Sequence, residues 1–139
     1  MIEKLLYVAG AYSGNTVQNI EDAERVSINL IRNGFHVITP HKNTAGYEKY
    51  EGKGLDYETW IKMDMDLLSR CDAVYAMVSS TRSTGAMREI EFARQKGMLI
   101  IFESEHPSHT FTLETYTCIK IKRPAEYSCE KKILNKIRI

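Results

Sequence analysis

Four short apolar runs, Leu5–Ala9, Phe35–Thr39, Ala73–Val78 and Met98–Phe102, constrain this chain more than any other feature of it. Runs of that length, rich in branched and aromatic side chains, suit strands covered on both faces, and each gap between them is long enough for a crossover helix. The first gap reads as one: Asn19 suits an N-cap, Ile20, Ala23, Ser27, Leu30 and Ile31 follow at helical spacing, and Gly34 closes the helix. Two more helices are expected, from about Tyr57 to Arg70 and from about Gly85 to Lys96 with Gly97 as its stop. With right-handed crossovers this alternation gives an α/β three-layer sandwich on a doubly wound, mostly parallel sheet of the flavodoxin-like or Rossmann-like kind. Thr117–Lys122 alternates well enough to add a fifth strand, and Pro124 suits the first turn of a last helix carrying Tyr127, Leu134 and Ile137. Between His41 and Asp56, Gly46, Gly52 and Gly54 sit among polar residues without a period, so a long loop is expected there, of a length often used as a lid. No repeat, linker or low-complexity segment divides the chain, and residues 1–139 read as one domain.

Charge narrows the partners. The 139 residues carry a net charge of +1, too little for a broad basic field that would hold nucleic acid through its phosphates, so a small molecule is expected instead. Cys71, Cys118 and Cys129 form no CxxC pair and are odd in number, which fits reduced core thiols. Met1-Ile2-Glu3-Lys4 leads straight into the first strand without a signal-like charged segment and apolar core, and nothing approaches the roughly 20 apolar residues of a membrane span. A cytoplasmic protein without membrane contact is the expectation.

Chemistry concentrates after the third strand. Ser83-Thr84-Gly85-Ala86-Met87-Arg88-Glu89 opens a helix behind a Ser-x-Gly loop, where an open α/β sheet gathers backbone N–H groups and a positive helix end. Glu89 is placed in the first turn, where the helix dipole would keep it ionised; complementing that dipole is its plainer role. On the preceding helix Trp60, Asp64, Leu67 and Cys71 fall at i, i+4, i+7 and i+11, so Asp64 points inward while Asp66 faces out with Lys62 and Arg70. An inward Asp either serves a structural partner or is a functional acid with a raised pKa.

Three motifs in order carry a resemblance over about residues 4 to 103: Tyr7-Val8-Ala9-Gly10-Ala11-Tyr12-Ser13-Gly14, Asp64 seven residues before Cys71-Asp72-Ala73-Val74, and Ser83-x-Gly85-x-x-x-Glu89-x-x-x-Ala93. The chain resembles the nucleoside 2-deoxyribosyltransferase superfamily, in particular a small phage-associated branch of uncharacterised proteins, and is similar also to the 2′-deoxynucleoside 5′-monophosphate N-glycosidases. The resemblance implies an enzyme without cofactor or metal that cleaves the N-glycosidic bond of a deoxyribonucleoside or its monophosphate. Glu89 would be the nucleophile at the anomeric carbon and Asp64 the residue that orients the substrate and assists proton transfer. Gly10, Ala11, Tyr12, Ser13 and Gly14 would wall the pocket, with Tyr12 either stacking on a base or packed beneath the loop, and Ser83 with the backbone at Gly85 would hold a 5′-phosphate or 5′-hydroxyl. The first loop has Tyr12-Ser13-Gly14-Asn15 where the monophosphate hydrolases carry an arginine, which leaves Arg82 as the nearest cation; Arg88 reads as solvated. The resemblance also implies a homodimer or larger homo-oligomer whose neighbouring subunit completes the pocket.

Other motifs add little. His106-Pro107-Ser108-His109 has H-x-x-H spacing, but its proline resists a helix and no further ligand completes a metal site. His41 follows Pro40 at the ligand edge of the sheet and reads as a surface histidine with a possible substrate contact. Neither a P-loop nor a G-x-G-x-x-G fingerprint is present. A strict monophosphate hydrolase and a nucleotide-sensing module without turnover remain as alternatives. A receiver-type phosphoacceptor domain would need an acidic cluster after the first strand that the chain lacks.

Overall fold

Strands form where the apolar runs stood, because residues covered from both sides favour extended backbone with no polar face. The computed structural model describes residues 4–103, 111–114, 116 and 117. In them β1 (Leu5–Ala9), α1 (Thr16–Arg32), β2 (His36–Ile38), α2 (Pro40–Asn43), α3 (Tyr57–Ser69), β3 (Ala73–Ala76), α4 (Thr84–Gln95) and β4 (Leu99–Phe102) follow in order. The sheet runs β2-β1-β3-β4 with every pair parallel, Leu6 opposite both Val37 and Ala73, and Val74 opposite Ile100.

Alternation along the strands divides the core in two. Leu6 and Val8 of β1 and Ala73 and Tyr75 of β3 face α1, where Ala23, Val26 and Leu30 join a cluster with Phe35, Phe111 and Tyr116. Phe35 stacks on Phe111 at 5.2 Å between ring centres. Tyr7, Ala9, Val74 and Ala76 face the other way, onto Leu68 of α3 and Ile90 and Ala93 of α4. The result is the three-layer α/β sandwich. Burying each of these larger aliphatic side chains contributes about 1.5–3 kcal/mol.

Several expectations change in detail. The described sheet has four strands: of the expected fifth, Thr117 is helical, and residues 118–122 lie outside the described residues, as do Pro124, the helix expected after it, His106, His109, Cys118 and Cys129. The N-cap of α1 is Asn15, whose side chain accepts from the Gln18 N–H, whereas Asn19 is buried inside the helix. The apolar run after β3 does not continue as a strand; Val78–Arg82 turns into a 3-10 helix that carries the chain toward α4. The segment from His41 to Asp56 is more ordered than its composition suggests. Pro40 starts α2, as its fixed φ favours, a 3-10 turn spans Tyr47–Tyr50, and Gly52 bridges Leu55 before Asp56 and Thr59 form a capping box on α3.

Candidate active site

β1 and β3 are neighbours in the sheet, but the connections leaving them depart in opposite directions, which opens a crevice at their carboxyl ends. The two loops are bound to each other there. A Cβ at Gly10 would come within 2.6 Å of Met77 Sδ and 3.1 Å of Ser79 Oγ, so a larger residue there would have to displace the Met77 side chain where the two loops cross. One residue on, the Ala11 N–H donates to Ser79 Oγ at 3.0 Å. Asn19 Nδ2 donates to the carbonyls of Tyr12 (3.1 Å) and Ser13 (3.0 Å), which explains why an amide sits in the buried face of α1.

The β2–α3 segment closes over this loop. His41 is buried, not on the surface, with Nε2 2.8 Å from the Ala11 carbonyl. Burial holds its pKa below the usual value, so the ring is neutral and Nε2–H donates. The Tyr12 hydroxyl donates to Glu48 Oε1 at 2.9 Å and accepts the Gly46 N–H at 3.0 Å. Trp60 Nε1 donates to Glu51 Oε1 at 2.8 Å. Tyr12 thus ties the roof to the first loop by its polar end.

Beneath lies a cavity of about 750 Å³. Gly10, Ala11, Tyr12, Ser13, Gly14, Asp64, Ser83, Gly85 and Glu89 all line it, so the structure brings to one cavity the residues that the resemblance implies for catalysis and substrate binding. Ser83 is the N-cap of α4, its hydroxyl oxygen accepting the Ala86 N–H at 3.2 Å. Gly85 packs against α3, since a Cβ there would lie 2.9 Å from the Tyr57 hydroxyl oxygen. Arg82 is the one arginine or lysine among the described lining residues. Arg88 turns away and forks onto Glu58 of α3 at 2.7 and 2.9 Å. Asp72 accepts the Leu5 N–H at 2.8 Å, at the opposite end of the sheet from the cavity, which gives that part of the second motif a structural purpose.

The two inward carboxyls differ from expectation. Glu89 is the sixth residue of α4, in its second turn, and 7% exposed, so desolvation and not the helix dipole governs it. Burial, then the charge of Asp64, pushes its pKa up to about 8, against a partial lowering by Tyr7. Asp64, 8% exposed on α3, is pushed up to about 6 by burial, and its Oδ1 meets no hydrogen-bond partner among the described residues. The fully buried Tyr7 hydroxyl lies beside Glu89 without a hydrogen bond of normal geometry; burial and the two carboxyls hold its pKa well above the usual value. A pair of carboxyls in one low-dielectric site resists double ionisation, so near neutrality it carries one proton and one charge.

A family model matches residues 4–103. The chain belongs to the family described as Domain of unknown function (DUF7768). The matched span of this DUF7768 chain holds all four strands and both carboxyl-bearing helices. No curated protein matches it. Among solved structures it is similar to a 2-deoxyribosyltransferase from Bacillus psychrosaccharolyticus, described as a biocatalyst for synthesis of antiviral and antitumoral nucleosides. The TM-score is 0.57 at 14% identity, over 87% of this chain and 93% of that one. A 2-desoxiribosyltransferase from Leishmania mexicana gives 0.55 at 18% identity over 74% of this chain, which spans 65% of that one. A conserved protein from Enterococcus faecalis V583 gives 0.60 at 15%, over 86% and 74%. The likeness shows the 2-deoxyribosyltransferase-like fold. Among the described residues no helix is long and apolar enough to cross a membrane, and no cluster of three or more His, Cys, Asp and Glu stands ready for a metal.

Sequence reasoning missed part of the lining. Trp60 lies on the Asp64 stripe and was legible as a neighbour, and Pro40 pointed to His41. Nothing in the local pattern marks Glu48 or Glu51, and Asn19 is marked only as a helix cap.

Proposed function

We propose that this protein is an N-glycosyl transferase or hydrolase that cleaves the glycosidic bond of a deoxyribonucleoside or its 5′-monophosphate through Glu89. The observation that carries this reading is the pair of buried carboxyls, Asp64 from α3 and Glu89 from α4, set on one cavity of about 750 Å³ with both pKa values raised. Cleavage of such a bond needs one carboxylate to attack the anomeric carbon and one acid to protonate the departing base. A pair that shares one proton supplies both. The reactive arrangement has the shared proton on Asp64 and the charge on Glu89. Glu89 then forms the glycosyl ester as the carbon–nitrogen bond breaks, and Asp64 gives its proton to the leaving nitrogen. A second base or water, losing a proton to Asp64, attacks the ester and restores Glu89. Tyr7 beside Glu89 positions its carboxyl, and the loop from Gly10 to Gly14 walls the sugar.

The relatives of this fold named as 2-deoxyribosyltransferases support the same reading. Incubation with deoxynucleosides and their 5′-monophosphates, with and without a free base, followed by chromatography, tests it. Release or exchange of base is expected, and Glu89→Gln should slow it at least a hundredfold, as loss of a covalent nucleophile does. Absence of released base across the panel, or a variant keeping more than about a tenth of the rate, overturns the assignment.

A further inference from the structure

The roof of the cavity carries a feature that glycosidic cleavage does not use. Trp60 and Asp64 sit one turn apart on the same face of α3, about 6 Å along the axis, and both line the cavity. The Trp60 indole N–H holds Glu51 Oε1 at 2.8 Å, and Glu51 lines the cavity as well. Its second oxygen accepts no hydrogen bond from the described residues. Tyr47 meets the Trp60 ring edge-on at 6.2 Å. A carboxylate held in this way can only accept hydrogen bonds. It rewards a donor placed opposite and repels a carbonyl oxygen.

We propose that Glu51, oriented by Trp60, is a specificity-determining residue that selects nucleobases bearing an exocyclic amino group over their oxo counterparts. Two features place the base there. With the sugar's reacting carbon at Asp64 and Glu89, a base directed along α3 meets Trp60 one helical turn away. The aromatic side chains of Trp60 and Tyr57 also supply flat apolar surface on that path. Glu48, by contrast, is engaged by Tyr12 and serves the roof.

This inference rests on the nucleoside reading above, and binding separates the two. Calorimetric titration of the slowed Glu89→Gln protein with 2′-deoxycytidine against 2′-deoxyuridine, and 2′-deoxyadenosine against 2′-deoxyinosine, compares ligands that differ at the amino position. Each amino member should bind about tenfold or more tightly, the effect of one hydrogen bond to a charged group. Adding Glu51→Gln, which keeps the size and the acceptor toward Trp60 but offers an amide N–H, should erase or invert that preference. Equal binding of the paired ligands within twofold, or a preference that survives Glu51→Gln, overturns the inference and leaves the functional reading standing. Failure of every nucleoside to bind overturns both.

Discussion

Replacing Glu89 by Gln should make the protein more stable at alkaline pH even as it removes activity. The folded state holds the Glu89 proton more tightly than the unfolded chain, with a pKa of about 8 against the ordinary 4.5. The favourable contribution of such a group is complete below the unfolded pKa and is lost as pH rises through the folded one. Above about pH 9 the wild type must therefore either ionise a carboxyl buried beside Asp64 or unfold, at a cost on the order of 5 kcal/mol. Gln has nearly the same shape and never ionises. Urea unfolding from about pH 4 to about pH 9 should show wild-type stability falling across the interval, and the variant falling less, since Asp64 alone still titrates. The two curves should nearly meet at the acid end, where both side chains are neutral. A gap that is constant with pH, or a wild type that gains on the variant as pH rises, would refute desolvation as the governing influence on Glu89.

The pair makes a second expectation. Asp64→Asn removes the charge that helps raise Glu89, so the Glu89 pKa should fall toward its ordinary range, read as a downward move of the upper limb in the pH dependence of stability. An unmoved limb would mean the two carboxyls do not interact. At the loop crossing, Gly10→Ala forces a Cβ against Met77 and Ser79 in a buried setting and should cost about 1–3 kcal/mol in urea unfolding, while a loss under about 0.5 kcal/mol would show that the β1 and β3 loops separate easily.

The layered fold was legible because β1, β2, β3 and β4 each announce themselves by a short apolar run and the helices by spacing and glycine stops. Errors gathered where position within an element depends on hydrogen bonds that sequence does not display. Asn19 looked like a cap because amides favour caps, yet it enters the helix to satisfy two loop carbonyls. Glu89 reads as a first-turn residue because Gly85 reads as the helix start, but Ser83 caps α4 and Thr84 begins it, and Glu89 falls in the second turn on the buried face with Ala86, Ile90 and Ala93. That change reverses the expected sign of its pKa. His41 looked exposed because its neighbours are polar, and only the fold brings the Ala11 carbonyl to it. The roof was least legible of all, since Tyr12 to Glu48 and Trp60 to Glu51 join parts of the chain that share no periodic pattern.

Both cavity carboxyls ride on helices of one face of the sheet, whereas the aromatic cluster of Phe35, Phe111 and Tyr116 fills the other. Substitutions behind the sheet and substitutions at the cavity share few neighbours, so their effects should add with little coupling. Such a layout lets a lineage gain stability in the rear core and then use that margin to absorb costly changes in front. Chemistry can drift among substrates while the scaffold that carries it stays whole.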